Sequence, residues 1–275
     1  MRPLTISCLQ TRPQPDFDLA LAEAMPLARQ AVDAGAQILF LPEYCGGLRT
    51  VGAAFAPPFE REEDHPFIRA FQDLAAERSV WIVLGSVAVS GPGSKYRNRG
   101  ILIDAQGRIG GRYDKLHLFD VTLAGGEQYC ESRSVEPGDT AVTYKTPFGV
   151  IGHTICYDLR FPLLYHDLAK AGADIICCPA AFTRRTGEAH WHILNRARAI
   201  ENGCFIVSPC ATGPVPGGGE TFGHSLIVDP WGRVLADGGT KPGIATALID
   251  LDQVQATRAA IPNLTNERSY GIAAR

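Results

Sequence analysis

Residues 33–45 read "DAGAQILFLPEYC" and residues 170–182 read "KAGADIICCPAAF". Both run from a helix end through an Ala-Gly-Ala turn into an apolar strand closed by a proline. The chain therefore carries an internal duplication, and its neighbours extend it. "LIDAQGRIGG" (102–111) is echoed by "IVDPWGRVLA" (227–236), each a strand, a tight turn and a strand. "VWIVLGSV" (80–87) and "CFIVSPCA" (204–211) are matching apolar strands, preceded by the helical patterns "HPFIRAFQDLAAERS" and "GEAHWHILNRARAIENG". Each half predicts strand, helix, strand, helix, strand and hairpin.

Two copies are too few for a solenoid, and no long Ser/Gly/Pro-rich linker divides them, so residues 1–275 are expected to form a single domain. Alternating strands and helices imply an α/β fold whose apolar sheet faces must be covered. Two similar halves then predict two sheets face to face with helices outside. The Gly/Pro-rich "GPVPGGGE" (213–220) is expected to be a mobile surface loop. The repeat breaks at one telling place: Pro42-Glu43 in the first half corresponds to Pro179-Ala180 in the second. The fold does not demand a carboxylate there, which marks Glu43 as a functional candidate.

Composition removes several classes of function. A net charge of −3 lacks the basic excess of a general nucleic-acid binder. No run of about 18 apolar residues is present to span a membrane, and the first residues lack the apolar core of a signal peptide. A cytoplasmic protein is expected. The eight cysteines then read as reduced thiols, several inside apolar strands, rather than as a disulfide framework. Neither a CxxC pair nor an HExxH helix is present, and His190 and His192 point to different sides of their helix, so no metal site and no cofactor are expected.

Catalytic groups in open α/β sheets gather beyond the carboxyl ends of the strands. Glu43 follows one such end and Cys156, in "HTICYDLRFP", another; Lys115 comes just past the first hairpin and Glu131 lies in the connection toward the cysteine. A cysteine nucleophile needs a base or a cation beside it. If 149–156 is extended, His153 and Cys156 face opposite sides of the sheet, so His153 reads as a packed histidine. His117, His190 and His224 stay open by distance in sequence. Carboxylate and ammonium can do the same work: Glu43 as base, Lys115 as stabiliser of thiolate and oxyanion, the Tyr157 backbone N–H as second oxyanion donor, and Glu131 orienting Lys115. Periodicity alone does not select these four.

At these residues the chain resembles the nitrilase superfamily of carbon–nitrogen hydrolases. "FLPEYC", "DKLHLFD", "CESRSVEPGD" and "ICYDLRFP" are similar, in order, to the family's general-base, lysine, second-glutamate and nucleophile segments. The resemblance implies a Glu43-Lys115-Glu131-Cys156 catalytic set and a four-layer α-β-β-α sandwich with internal pseudo-symmetry. It also implies a homodimer or higher homo-oligomer, to which 261–270 is expected to contribute. "CYDLRFP", "AFTRRTGEAHW" and "GHSLIVDPWGRV" are similar to the omega-amidase and deaminated-glutathione-amidase branch. Tyr157-Asp158 stands where true nitrilases carry Trp-Glu, and His153 where close relatives tend to be aliphatic. The implied activity is hydrolysis of the amide of a small carboxylate-bearing substrate, to acid and ammonia, through a cysteine thioester. Arg160, Arg184 and Arg185 are candidates to bind the carboxylate, and Phe182, Thr183 and His190 to line the pocket. The rival readings are an N-carbamoyl hydrolase or nitrilase, an acyltransferase, and a catalytically silent interaction protein.

Overall fold

The computed structural model describes residues 1–52, 54–122 and 128–274. The first half runs β1 (Pro3–Gln10), α1 (Phe17–Asp33), β2 (Ile38–Phe40), a short hairpin β3 (Thr50–Val51) and β4 (Ala54–Phe55), α2 (Pro66–Arg78), β5 (Trp81–Ser90), β6 (Tyr96–Ile103) and β7 (Ile109–Asp114). A ribbon follows, β8 (Asp120–Thr122) and β9 (Gln128–Cys130). The second half runs β10 (Val142–Lys145), β11 (Val150–His153), α3 (Pro162–Lys170), β12 (Ile175–Cys177), α4 (Arg184–Asn202) and β13 (Phe205–Ser208). A ribbon β14 (Thr212–Pro214) and β15 (Glu220–Phe222) leads to β16 (Leu226–Val228), β17 (Val234–Asp237), β18 (Gly243–Asp250), α5 (Asp252–Ala260) and α6 (Asn263–Asn266).

The duplication is visible in the topology. One six-stranded sheet has the order β18-β1-β2-β5-β6-β7 and the other β10-β11-β12-β13-β16-β17. In each, three parallel strands are followed by an antiparallel hairpin. The period-2 alternation of side chains sorts the layers. Ile38 and Phe40 of β2 meet Ile175 and Cys177 of β12 and Phe205 and Val207 of β13 between the sheets. Leu39 and Ile82 face the other way, onto Ala20, Ala24 and Ala28 of α1 and Phe67, Phe71 and Leu74 of α2. Ile176 and Ile206 likewise face Leu164 and Leu168 of α3 and Trp191 and Ala199 of α4. The result is the four-layer α-β-β-α sandwich.

The helices begin where local chemistry lets them. The Asp16 carboxylate caps α1 by accepting the Leu19 N–H at 2.9 Å, and Pro66 opens α2 at a position where a missing N–H costs nothing. Gly203 ends α4 at φ +54°. The two strand-end prolines of the repeat meet at Gly85, whose absent side chain lets the sheets touch. A Cβ there would lie 2.0 Å from the Leu41 carbonyl and 2.4 Å from Pro179.

Two sequence expectations change. The strand ends at His153, and Cys156 instead opens a 3-10 turn, Cys156–Arg160. His153 is turned away as expected, but because the strand stops short rather than because alternation continues to the cysteine. Residues 213–220 are not a free loop. They form part of the β14–β15 ribbon and its turn, and the turn is bonded to the first hairpin: Thr50 donates its N–H to the Pro216 carbonyl at 2.8 Å and its hydroxyl to that of Gly218 at 3.0 Å.

Candidate active site

Glu43, Lys115, Glu131 and Cys156 converge at the carboxyl ends of the central strands. Glu43 leaves the sheet after β2 through a tight turn in which Tyr44 has φ +52°, held by the Tyr44 N–H on Ser86 Oγ at 2.9 Å. Lys115 follows the last residue of β7, and Glu131 opens a short 3-10 turn after β9. Lys115 Nζ donates to Glu43 Oε1 at 2.8 Å and to Glu131 Oε1 and Oε2 at 3.1 and 2.9 Å. All three side chains are almost fully withdrawn from solvent, at 2%, 3% and 0% exposure. Desolvation alone would lower the Lys115 pKa, but the charges of Glu131 and Glu43 together outweigh it and raise it well above the ordinary lysine value. The lysine is a fixed ammonium.

The carboxylates are oriented from behind. Glu43 Oε2 accepts the Ala181 N–H at 2.8 Å; Glu131 Oε2 accepts the Phe119 N–H at 2.7 Å and its Oε1 the Tyr44 hydroxyl at 3.2 Å. Asn98, on β6, donates Nδ2 to Glu43 Oε1 at 2.9 Å and to Glu131 Oε1 at 3.3 Å. Sequence reading missed Asn98 and Tyr44. Asn98 sits in the alternating run "YRNRGILI", where nothing distinguishes an inward amide from a neutral strand residue; only the fold brings it between two acids.

Cys156 has φ +49°, a left-handed conformation that costs a non-glycine residue free energy and often marks a functional position. Its turn is clamped by Asp158, which accepts the Ile155 N–H at 2.8 Å, the Tyr113 hydroxyl at 2.7 Å and the His117 N–H at 3.1 Å. The Cys156 N–H is spent on the Pro179 carbonyl at 2.9 Å. The Tyr157 N–H lies in the first turn of the 3-10 segment, where donors have no partner within the helix. Burial, then the negative charge of Glu43, raise the Cys156 thiol well above its ordinary pKa despite the opposing charge of Lys115. The resting group is a thiol with a carboxylate beside it.

These groups open into a pocket with Glu43, Lys115 and Cys156 at its base and Phe55, Phe119, Tyr157 and Phe182 as walls. Thr183 and Arg160 also line it. The Arg160 guanidinium lies 5.4 Å from the Phe182 ring centre and 3.3 Å from His190 Nδ1. His190 is exposed and meets the lining residue Arg160 rather than lining the pocket itself. Arg184 and Arg185 lie apart: both line a neighbouring cleft, and Arg184 is ion-paired with Glu188 and Glu220 at 3.0 Å each. The histidines left open by sequence are engaged elsewhere, His117 on Asp158 at 2.7 Å and His224 on Asp237 at 2.9 Å. His153 is buried against Tyr113 and Tyr144, with Nε2 on the Gly85 carbonyl at 3.1 Å.

A buried carboxylate–ammonium–carboxylate set beside a thiol, at the strand ends of a four-layer sandwich, is the architecture of a carbon–nitrogen hydrolase. The model of that family matches residues 5–259, and the chain belongs to it: it is a hydrolase acting on carbon–nitrogen bonds other than peptide bonds. The chain is 38% identical over 270 residues to a deaminated glutathione amidase from Synechocystis sp., covering 96% of this chain and 98% of the relative. It superimposes on the C. elegans NitFhit protein with a TM-score of 0.88 at 31% identity, over 97% of this chain and 65% of that longer one. It also matches, at a TM-score of 0.75 and 25% identity, a glutamate-to-glutamine variant of an amidase from Nesterenkonia sp. AN1. That match covers 94% of this chain and 95% of the other, whose active-site cysteine carries the acetamide moiety of fluoroacetamide covalently added.

Proposed function

We propose that the protein is an amidase of the omega-amidase or deaminated-glutathione-amidase type, hydrolysing the amide of a small carboxylate-bearing substrate through a Cys156 thioester. The observation that carries this reading is the convergence of Glu43, Lys115 and Cys156 at the base of one pocket. Because the thiol is protonated at rest, attack on the amide carbonyl requires its proton to pass to Glu43 as the C–S bond forms. The oxyanion is held by the Tyr157 N–H and by Lys115, which turns toward it one of the two N–H donors it otherwise shares between the Glu131 oxygens. Glu43 then gives the proton to the leaving nitrogen, the C–N bond breaks, and ammonia or an amine departs. Water enters, Glu43 takes its proton, and collapse of the second tetrahedral intermediate returns the thiol and frees the acid. Glu131 keeps Lys115 charged and in place throughout.

Arg160 is the proposed partner of the substrate carboxylate, since it borders the pocket with no carboxylate of its own among the described ion pairs. Phe182 and Thr183 shape the same mouth, whereas Arg184 and Arg185 are assigned no substrate contact. One carbon–nitrogen hydrolase domain is proposed for residues 1–275. Leu163, Ile193, Ile200 and Ile261 are exposed apolar side chains on α3, α4 and the start of the tail, which supports a homodimer or larger homo-oligomer there. All eight cysteines are free, which supports a reducing, cytoplasmic location. No helix among the described residues is long and apolar enough to cross a membrane.

The test is a product screen over dicarboxylate monoamides, deaminated glutathione, N-carbamoyl amino acids and simple nitriles. Turnover of the carboxylate-bearing amides is expected, with Arg160→Gln raising KM for these and leaving a neutral amide unaffected. Turnover confined to nitriles or carbamoyl compounds overturns the substrate assignment.

A further inference from the structure

Outside the pocket, three ligand-bearing side chains from three separate elements converge. His192 projects from α4, His224 follows β15, and Asp237 ends β17. His192 Nε2 lies 3.0 Å from Asp237 Oδ2; His224 Nδ1 lies 2.9 and 3.1 Å from Asp237 Oδ1 and Oδ2. The three donor atoms all sit within 4.8 Å of one another. We propose that His192, His224 and Asp237 form a binding site for one divalent transition-metal ion of the zinc class.

The geometry is close to what such an ion needs. Zinc takes imidazole nitrogen at about 2.0–2.1 Å and carboxylate oxygen at about 2.0–2.2 Å in a tetrahedron, which places ligand atoms roughly 3.3 Å apart. The two contacts to Asp237 are already near that spacing, so closure requires only a small approach of the two imidazoles. Two nitrogens and one carboxylate suit zinc, nickel or cobalt rather than magnesium or calcium, which prefer all-oxygen shells. The carboxyl group and one imidazole are held before any ion arrives. The Gly239 N–H donates to Asp237 Oδ1 at 2.8 Å, and the His224 carbonyl accepts the Trp191 indole N–H at 2.7 Å. His224 itself has φ +53°, a conformation histidine adopts at a cost. His192 and Asp237 are partly exposed, leaving room for water at the fourth position.

The sequence expectation of no metal site rested on local spacing, and these ligands are 32 and 13 residues apart on three elements. The site is distinct from the catalytic set, yet not remote from it in packing: Trp191 rests on Phe182, a wall of the pocket, at 4.9 Å between ring centres. A bound ion would tie α4 to the β16–β17 hairpin behind that wall.

The test is titration of the full-length, reduced, chelator-stripped protein with Co²⁺, followed by visible absorption, alongside melting temperature with and without Zn²⁺. The expected result is one cobalt per chain with d–d bands and no thiolate charge-transfer band, and a Zn²⁺-dependent rise in Tm. His192→Ala and Asp237→Asn, each natively folded by circular dichroism, should weaken binding by roughly tenfold or more and remove the Tm rise, since even outer partners of metal ligands are worth about 10–100-fold in affinity. His192 lies on a partly exposed helix face, so its truncation leaves the fold intact. Absence of the cobalt spectrum in the wild-type protein overturns the proposal. So does binding unchanged in both variants, or a spectrum dominated by thiolate, which would place the ion on cysteine.

Discussion

Replacing Lys115 by methionine removes the ammonium and keeps most of the volume. Nζ bonds two carboxylates that are themselves nearly inaccessible to water. Glu43 Oε1 and Glu131 Oε1 each lie about 3 Å from Nζ, so they are at most about 6 Å apart. At an effective dielectric near 20, two such charges repel by about 3 kcal/mol or more. Breaking a buried ion pair from one side typically costs about 3–5 kcal/mol, against a total stability of about 5–15 kcal/mol. Lys115→Met is therefore expected to fold but to unfold at clearly lower urea concentration. Its turnover should fall by at least about 10²–10³, the usual cost of one oxyanion donor. Adding Glu131→Gln removes one of the two repelling charges, so the double variant should regain part of the lost stability and none of the activity. The assays are urea unfolding followed by circular dichroism, and product release under saturating substrate. A Lys115→Met enzyme as stable as wild type, or a double variant less stable than the single one, refutes the electrostatic reasoning; activity within tenfold of wild type refutes the oxyanion role.

Asn98→Leu removes an amide that donates to both carboxylates. Hydrogen bonds to charged groups are worth about 1.5–3 kcal/mol, so kcat should fall roughly 10–100-fold with little change in KM; a KM effect alone would move Asn98 to substrate binding. Burial pushes the His153 imidazole down from 6.5 to about 4, and His65 likewise to about 4. Both are neutral when folded and take a proton when unfolded. The stability they supply is full above about pH 6.5 and is lost toward pH 4, at up to about 1.4 kcal/mol per pH unit for each. His153→Leu should flatten the fall in unfolding midpoint between pH 7 and pH 5, and an unchanged slope would show that His153 is not its source.

Much of this was legible in the chain because it is local. The paired apolar strands, their turns and their helix patterns mark the two halves, and the unmatched Glu43 points to the end of the sheets where Lys115 and Cys156 also gather. The resemblance supplied Lys115 and Glu131, which no periodicity singles out. What escaped was long-range. Asn98 is an ordinary strand residue until β6 lies beside β5 and its amide falls between two acids. Arg160, Arg184 and Arg185 look alike in sequence, and only the fold directs Arg160 to the pocket while Glu188 and Glu220 hold Arg184 in the next cleft. The turn of 213–220 gained structure from Thr50, some 165 residues away, a contact composition cannot register.

The proposed chemistry requires a thioester at Cys156. Acid quench of the enzyme under saturating amide, followed by peptide mass mapping, reads it directly. The predicted result is an added mass equal to the substrate less its leaving amine, on the peptide carrying Cys156 and on no other cysteine. An acyl group mapped to another residue, or a Cys156→Ala enzyme that releases product at the wild-type rate, contradicts it.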